Sequence, residues 1–174
     1  PDIMCVSKGL TGGYLPLSLV ITTNEIYNAF YDDYEKLKSF LHSHSYSGNP
    51  LACSVAIETL NIFKEENTLD KLKHKSKYLK NSVENLFKDL DHVGEIRSMG
   101  MICAIELVKD KKSKEPFDFK DRIGYKIYKI ALENSLILRP LGNVLYFMPP
   151  YIITNQQIDE MINIALFSYK KFFK

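Results

Sequence analysis

Pro1-Asp2-Ile3-Met4-Cys5-Val6-Ser7-Lys8-Gly9-Leu10-Thr11-Gly12-Gly13 sets a short apolar run directly against a lysine and a glycine-punctuated turn. An apolar run of this length, bounded by turn residues, reads as a buried strand. The glycines let the backbone turn sharply or approach a ligand closely. A lysine held at the end of such a strand is expected to be partly desolvated, which favours the neutral, nucleophilic amine. That is the setting needed by a lysine that forms a Schiff base with a carbonyl cofactor. Taken alone, the segment fits a solvated lysine at a strand end better, because lysine is rarely buried without a partner. The remainder of the chain shifts that balance toward chemistry.

Leu19-Val20-Ile21-Thr22-Thr23 reads as a second short strand, rich in β-branched residues. Residues from about Asn24 to Leu41 form a short helix and then a loop. Ser47-Gly48-Asn49-Pro50 is a helix start: Asn49 caps and Pro50 suits the first helical position. The helix it opens carries Leu51, Val55, Ile62 and Phe63 to about Glu66. Ala52, Cys53, Ser54 and Ala56 crowd its first turns and suit close packing against another element or a ligand. A second helix places Leu69, Leu72, Leu79, Val83, Leu86 and Leu90 on one face and closes at Asp91-His92.

The period then changes to alternation. Met101, Cys103, Ile105 and Leu107 fall on one side of a strand, with Ile102, Ala104 and Glu106 on the other. Lys109 to Pro116 reads as a charged surface loop. A helix from about Lys120 to Asn134 is expected to bury Ile123, Ile127, Ile130 and Ala131. Two short antiparallel strands follow, Leu136 to Arg139 and Val144 to Met148, the second ended by Pro149-Pro150. Thr154 and Gln157 form a capping-box pair opening a last helix, with Ile158, Met161, Ile162, Ala165, Tyr169 and Phe172 inward. The fold class is α/β, with a boundary near residue 70.

Bulk composition limits the partners. The 174 residues are 45% hydrophobic and 25% charged, with a net charge of +2, an ordinary globular balance. That charge is too small to argue for nucleic acid or an anionic membrane, and no apolar stretch approaches a membrane span. Cys5, Cys53 and Cys103 are widely spaced in apolar surroundings, form no metal pattern or disulfide framework, and suit a reducing cytosol. The chain opens on Pro1, almost directly into a strand, which suggests a piece of a longer protein.

Two further stretches carry chemistry. His42-Ser43-His44-Ser45-Tyr46-Ser47-Gly48-Asn49-Pro50 runs into a helix N-terminus, where free N–H groups and the dipole favour an anion. Hydroxyls at Ser45 and Ser47 would add donors to a phosphate. An ordinary capped loop is the plainer reading, and His42 with His44 lacks the third ligand a metal site needs. Arg139 ends an apolar run ahead of Pro140, and its fork suits a carboxylate bidentately. An interdomain salt bridge explains it equally well. Tyr146, on the next strand, either lines a site or packs.

Taken together, these stretches resemble the class III aminotransferases, pyridoxal-phosphate enzymes of fold type I. PDIMCVSKGLTGG resembles the family's cofactor-lysine segment, and HSHSYSGNPLAC its phosphate-binding loop and following helix. RPLGNVLYFMPPYIIT, from Arg139 to Thr154, resembles the biotin-biosynthesis branch of the family, other members of which tend to have arginine where Tyr146 stands. The resemblance implies that residues 1–70 are the C-terminal part of the large cofactor domain with its linking helix. Residues 71–174 would be the small α/β C-terminal domain.

It further implies that Lys8 binds pyridoxal 5'-phosphate covalently and moves the proton between substrate and cofactor carbons. Ser45, where threonine is usual, would bind the cofactor phosphate, that of the neighbouring subunit in a homodimer with shared active sites. His44 would touch the cofactor. Ser43, where glycine is commoner, would touch the substrate, Arg139 would hold the carboxylate of 8-amino-7-oxononanoate, and Tyr146 would line its pocket. The partners are then a small-molecule keto acid and an amino donor, S-adenosylmethionine or lysine, in the cytoplasm. The family's aspartate facing the pyridine nitrogen, its ring-stacking aromatic and its first phosphate-binding turn would all lie before Lys8. Competing expectations are an ornithine-, aminobutyrate- or aminomutase-type relative, or an inactive fragment serving as a binding module.

Overall fold

Strand formation follows the two apolar runs at the start of the chain. In the computed structural model, which describes residues 1–174, Ile3–Val6 (β1) and Leu19–Thr22 (β2) pair antiparallel. A 3-10 turn, Lys8–Thr11, follows β1. Asn24–Phe30 forms the short helix α1, capped by the Thr23 hydroxyl accepting from the Ile26 N–H. Pro50–Glu65 forms α2, where the Asn49 side chain accepts from the Leu51 N–H at 3.0 Å and Pro50 stands in the first turn. That is the start expected from Asn-Pro: the cap satisfies an orphan donor, and proline has none to satisfy.

The expectation of a buried first strand is not met. Both strands are exposed along their length except for half-buried Val6, and Cys5 is exposed as well. A two-stranded hairpin has no second layer to cover either face. The unit Pro1–Thr68 buries only Thr11, Ala52 and Ala56. The two alanines lie on α2, which packs against the 3-10 turn, so the small residues of that helix do permit a close approach.

The second unit, Leu69–Lys174, holds the hydrophobic core. Helix α3, Thr68–Phe87, buries Leu79, Val83 and Phe87, three positions four apart on one face. Leu69 and Leu86, expected on that face, are exposed, because the stripe that meets the core runs through Phe87. Strand β4, Ile102–Asp110, alternates as expected, with Cys103, Ile105 and Leu107 buried. Along one edge it pairs antiparallel with β3, Val93–Met99, through a bulge between Val93 and Glu95. Along the other edge it pairs with β6, Val144–Phe147, and with the two-residue β5, Glu115–Pro116.

Strand β3 is not evident in the sequence, since Val93 and Ile96 are its only core-packed apolar residues. The loop expected over Lys109–Pro116 likewise contains β5. Leu136 to Arg139, expected as a strand, is irregular. The expected pairing with the next strand is reduced to an isolated antiparallel bridge between Leu141 and Val144, beyond the segment itself. Helix α4, Ile123–Glu133, buries Ile123, Gly124, Ile127 and Ala131 and is preceded by a 3-10 turn at Phe119–Asp121. Helix α5, Asn155–Phe172, opens with both hydrogen bonds of the Thr154/Gln157 capping box and buries Ile158, Ile162, Ala165, Ser168 and Tyr169. No helix is long and apolar enough to cross a membrane.

Candidate functional site

Lys8 stands at the junction between β1 and its 3-10 turn with φ of 44°, in the left-handed region that disfavours residues with a Cβ. Hydrogen bonds on either side hold it there. The Ser7 hydroxyl donates to the Leu17 carbonyl at 2.9 Å, and the buried Thr11 hydroxyl donates to the Leu15 carbonyl. Strained backbone of this kind persists only where the surroundings over-determine it, and it clusters at functional positions. The Lys8 side chain is exposed rather than partly desolvated as expected, because β1 has no covering layer in this unit. Its amine forms no ion pair.

The loop ahead of α2 is a compact set of local bonds. The Ser47 N–H donates to the His44 carbonyl at 2.9 Å, the His44 N–H donates to Ser47 Oγ at 3.2 Å, and the Tyr46 N–H donates to His44 Nδ1 at 3.2 Å. The imidazole of His44 is therefore used to order the loop, with Tyr46 tilted against it at 5.6 Å between ring centres. The hydroxyls of Ser43 and Ser45 take part in none of these bonds, and both residues are exposed. No group of three or more His, Cys, Asp or Glu side chains is arranged to hold a metal. Two free serine hydroxyls beside an asparagine-capped helix N-terminus suit a phosphate.

Arg139 and Tyr146 lie in the other unit. They flank one tight turn, in which Leu141 and Val144 exchange both backbone hydrogen bonds, at 2.8 and 2.9 Å. Tyr146 is half-buried and sits opposite Ala104, on the sheet face turned away from the core. Arg97 pairs opposite Ala104 from the other side, so the same face carries a charged group. The Arg97 guanidinium binds Glu95 at 2.9 Å and also Glu106, which holds it firmly protonated.

The chain has three arginines. Arg97 is occupied by two carboxylates, and Arg122 lies 4.1 Å over the Tyr125 ring. Arg139 is exposed and engages neither a carboxylate nor a ring of its unit, so its fork is available to an external anion. Lys8, Ser43, His44 and Ser45 thus belong to the first unit and Arg139 and Tyr146 to the second.

Two residues that the sequence did not single out, Phe119 and Gly124, border the Arg139–Tyr146 turn. The only signal available was a glycine inside an otherwise helical pattern, which often has a packing reason.

Residues 1–166 match the aminotransferase class-III family. Over 163 residues the chain is 44% identical to the adenosylmethionine-8-amino-7-oxononanoate aminotransferase of Geobacter sulfurreducens, covering 94% of this chain and 36% of that protein. The crystal structure of adenosylmethionine-8-amino-7-oxononanoate aminotransferase from Methanocaldococcus jannaschii matches with a TM-score of 0.93 at 42% identity, over 98% of this chain and 39% of that one. The PMP-bound aminotransferase from Vibrio fluvialis matches with a TM-score of 0.90 at 30% identity, over 99% and 38% of the two chains. The chain therefore spans 36% of the length of its Geobacter relative.

Proposed function

This chain belongs to the class-III aminotransferase family, and we propose that it forms the cofactor-lysine segment and small domain of an aminotransferase of biotin biosynthesis. The reaction converts 8-amino-7-oxononanoate to 7,8-diaminononanoate, with S-adenosylmethionine as amino donor. The observation that carries this reading is the 44% identity, across 94% of the chain, to a relative of that name. Residues 1–70 then complete the large cofactor domain of a fold type I transferase, and residues 71–174 form its small domain. The protein acts in the cytoplasm as a homodimer.

The cofactor is pyridoxal 5'-phosphate, and the donor set suits it: an amine without an ion-pair partner at Lys8, and two hydroxyls at Ser43 and Ser45 outside the hydrogen bonds of their loop. When bound, the cofactor supplies an electron sink for the substrate carbon whose amino group is exchanged. Lys8 would hold the cofactor through its amine and would serve as the base that moves the substrate proton. Ser45 would help hold the cofactor phosphate, that of the partner subunit, through its hydroxyl. His44 would contact the cofactor, with its ring oriented by the Tyr46 N–H. Ser43 contacts the substrate. Arg139 binds the substrate carboxylate through its fork, and Tyr146 lines the pocket for the alkyl chain.

The test uses the full-length protein in a strain that requires biotin because it lacks this aminotransferase. Growth without biotin is expected from the wild type and not from Lys8→Ala. Purified wild type is also expected to show the absorbance band of lysine-bound cofactor, which Lys8→Ala lacks. No growth, with ornithine or 4-aminobutyrate as good substrates instead, would move the enzyme to another branch of the family. Turnover with lysine in place of S-adenosylmethionine would change the donor alone.

A further inference from the structure

Arg139 lies in irregular backbone, so no ladder of strand hydrogen bonds aligns its main chain. The turn that follows it is held from two sides. On one side, Gly124 in the first turn of α4 is buried, and a Cβ built there would lie 2.4 Å from the Gly142 carbonyl oxygen and 2.9 Å from Pro140 Cβ. The helix and the turn are therefore in flush contact at a spot where only a hydrogen fits.

On the other side, the Phe119 ring covers Gly142, where a Cβ would lie 2.5 Å from Phe119 Cε1. Gly142 itself has φ of 57°, which a residue with a Cβ adopts only under strain. Pro140 restricts φ at the next position after Arg139. The Asn143 side-chain amide completes the seat by donating to the Phe117 carbonyl at 2.8 Å. A cleft of about 270 Å³ bounded by Phe119, Arg122, Tyr125, Pro140 and Gly142 adjoins the turn. Without the ring, the turn has room to move into it.

We infer that Gly124 and Phe119 are positioning residues for substrate selection: together they clamp the Pro140–Asn143 turn and so set Arg139 relative to Tyr146 for a carboxylated substrate. This rests on the reading of Arg139 as the carboxylate-binding residue. Phe119 is 74% exposed, so its ring can be removed without opening the core, and its contact with Gly142 is what ties it to the turn. A shift of about an ångström in a substrate-holding group is enough to cost one to two orders of magnitude in rate.

The experiment uses the full-length holoenzyme and compares kcat/KM for 8-amino-7-oxononanoate with that for its methyl ester, which lacks the negative charge. In Gly124→Ala the acid-to-ester ratio is expected to fall by roughly tenfold, with the ester value unchanged. Phe119→Ala, which removes an exposed ring and leaves the core intact, should lower the ratio by a smaller factor, and Phe119→Tyr should restore it. In an Arg139→Ala background, Gly124→Ala and Phe119→Ala should produce no further loss of the ratio. If acid and ester fall together, or the ratio stays at the wild-type value while Arg139→Ala collapses it, the clamp has only a structural role and the inference is overturned. A wild-type ratio in Arg139→Ala itself would overturn the reading of Arg139, and the clamp with it.

Discussion

The Tyr78 hydroxyl lies 2.9 Å from both carboxylate oxygens of Asp159, joining α3 to α5 across 81 positions of sequence. The carboxylate can accept only from the neutral phenol, so it raises the Tyr78 pKa above the ordinary tyrosine value of 10.0. A group whose folded pKa is raised contributes stability that is fully present below the unfolded value and is lost as pH rises through the folded one. Tyr78→Phe is therefore expected to lower the melting temperature at pH 7 and to lower it progressively less above pH 10. Thermal melts of both proteins from pH 7 to 11 check this, and a constant difference over that range would contradict it.

Phe87 is fully buried and meets Tyr169 edge-on at 6.1 Å between ring centres, whereas neighbouring Leu86 is 39% exposed. Phe87→Ala should cost about 3–5 kcal/mol through lost burial and a residual cavity. Leu86→Ala should cost well under half of that, since part of its surface stays in water in the folded state. Urea denaturation of the two variants separates them, and equal losses would count against the stripe through Phe87.

Cys103 is fully buried within β4, and burial pushes its thiol pKa up to about 11. Only the thiolate reacts, so Cys103 should resist a thiol reagent at pH 8 until the protein is unfolded with denaturant, while exposed Cys5 in this 174-residue chain should react at once. Because the folded thiol is favoured, its contribution to stability is present below pH 9 and lost as pH rises through 11. Mass mapping of labelled cysteines reads the outcome directly, and rapid native labelling of Cys103 would be inconsistent with its burial.

At Lys8 the left-handed backbone separates stability from chemistry. Glycine adopts φ near 44° without the steric cost of a Cβ, so Lys8→Gly should stabilise the fold by about 1 kcal/mol relative to Lys8→Ala. Both should lack transamination activity in the full-length enzyme. Chemical denaturation checks the first expectation and a single-turnover assay the second. Equal stability of the two variants would mean that the backbone relaxes when the lysine is removed.

Local signals carried much of the element list. The Asn49-Pro50 start, the Thr154/Gln157 box and the alternation from Cys103 to Leu107 each depend on residues within a few positions of one another, and each appears where it was expected. Strand β3 escaped notice because it is an edge partner with few core residues, and its pairing is supplied by β4. Leu136 to Arg139 misled in the opposite sense: its apolar run anchors Leu138 in the core but is irregular, because burial of one side chain does not by itself require a strand.

The candidate site divides in the same way. Residue type and order made Lys8, the serine-histidine loop and Arg139 candidates, but taken alone each had a plain reading at least as good, and the resemblance to the class III aminotransferases tipped them toward chemistry. Only the tertiary structure decided the left-handed backbone at Lys8, the capture of Arg97 by two carboxylates, and the contact of Gly124 and Phe119 with the turn beyond Arg139. Those facts depend on which distant segments meet, and a glycine or an arginine has the same letter whether it is pressed against a carbonyl, paired, or open to a ligand.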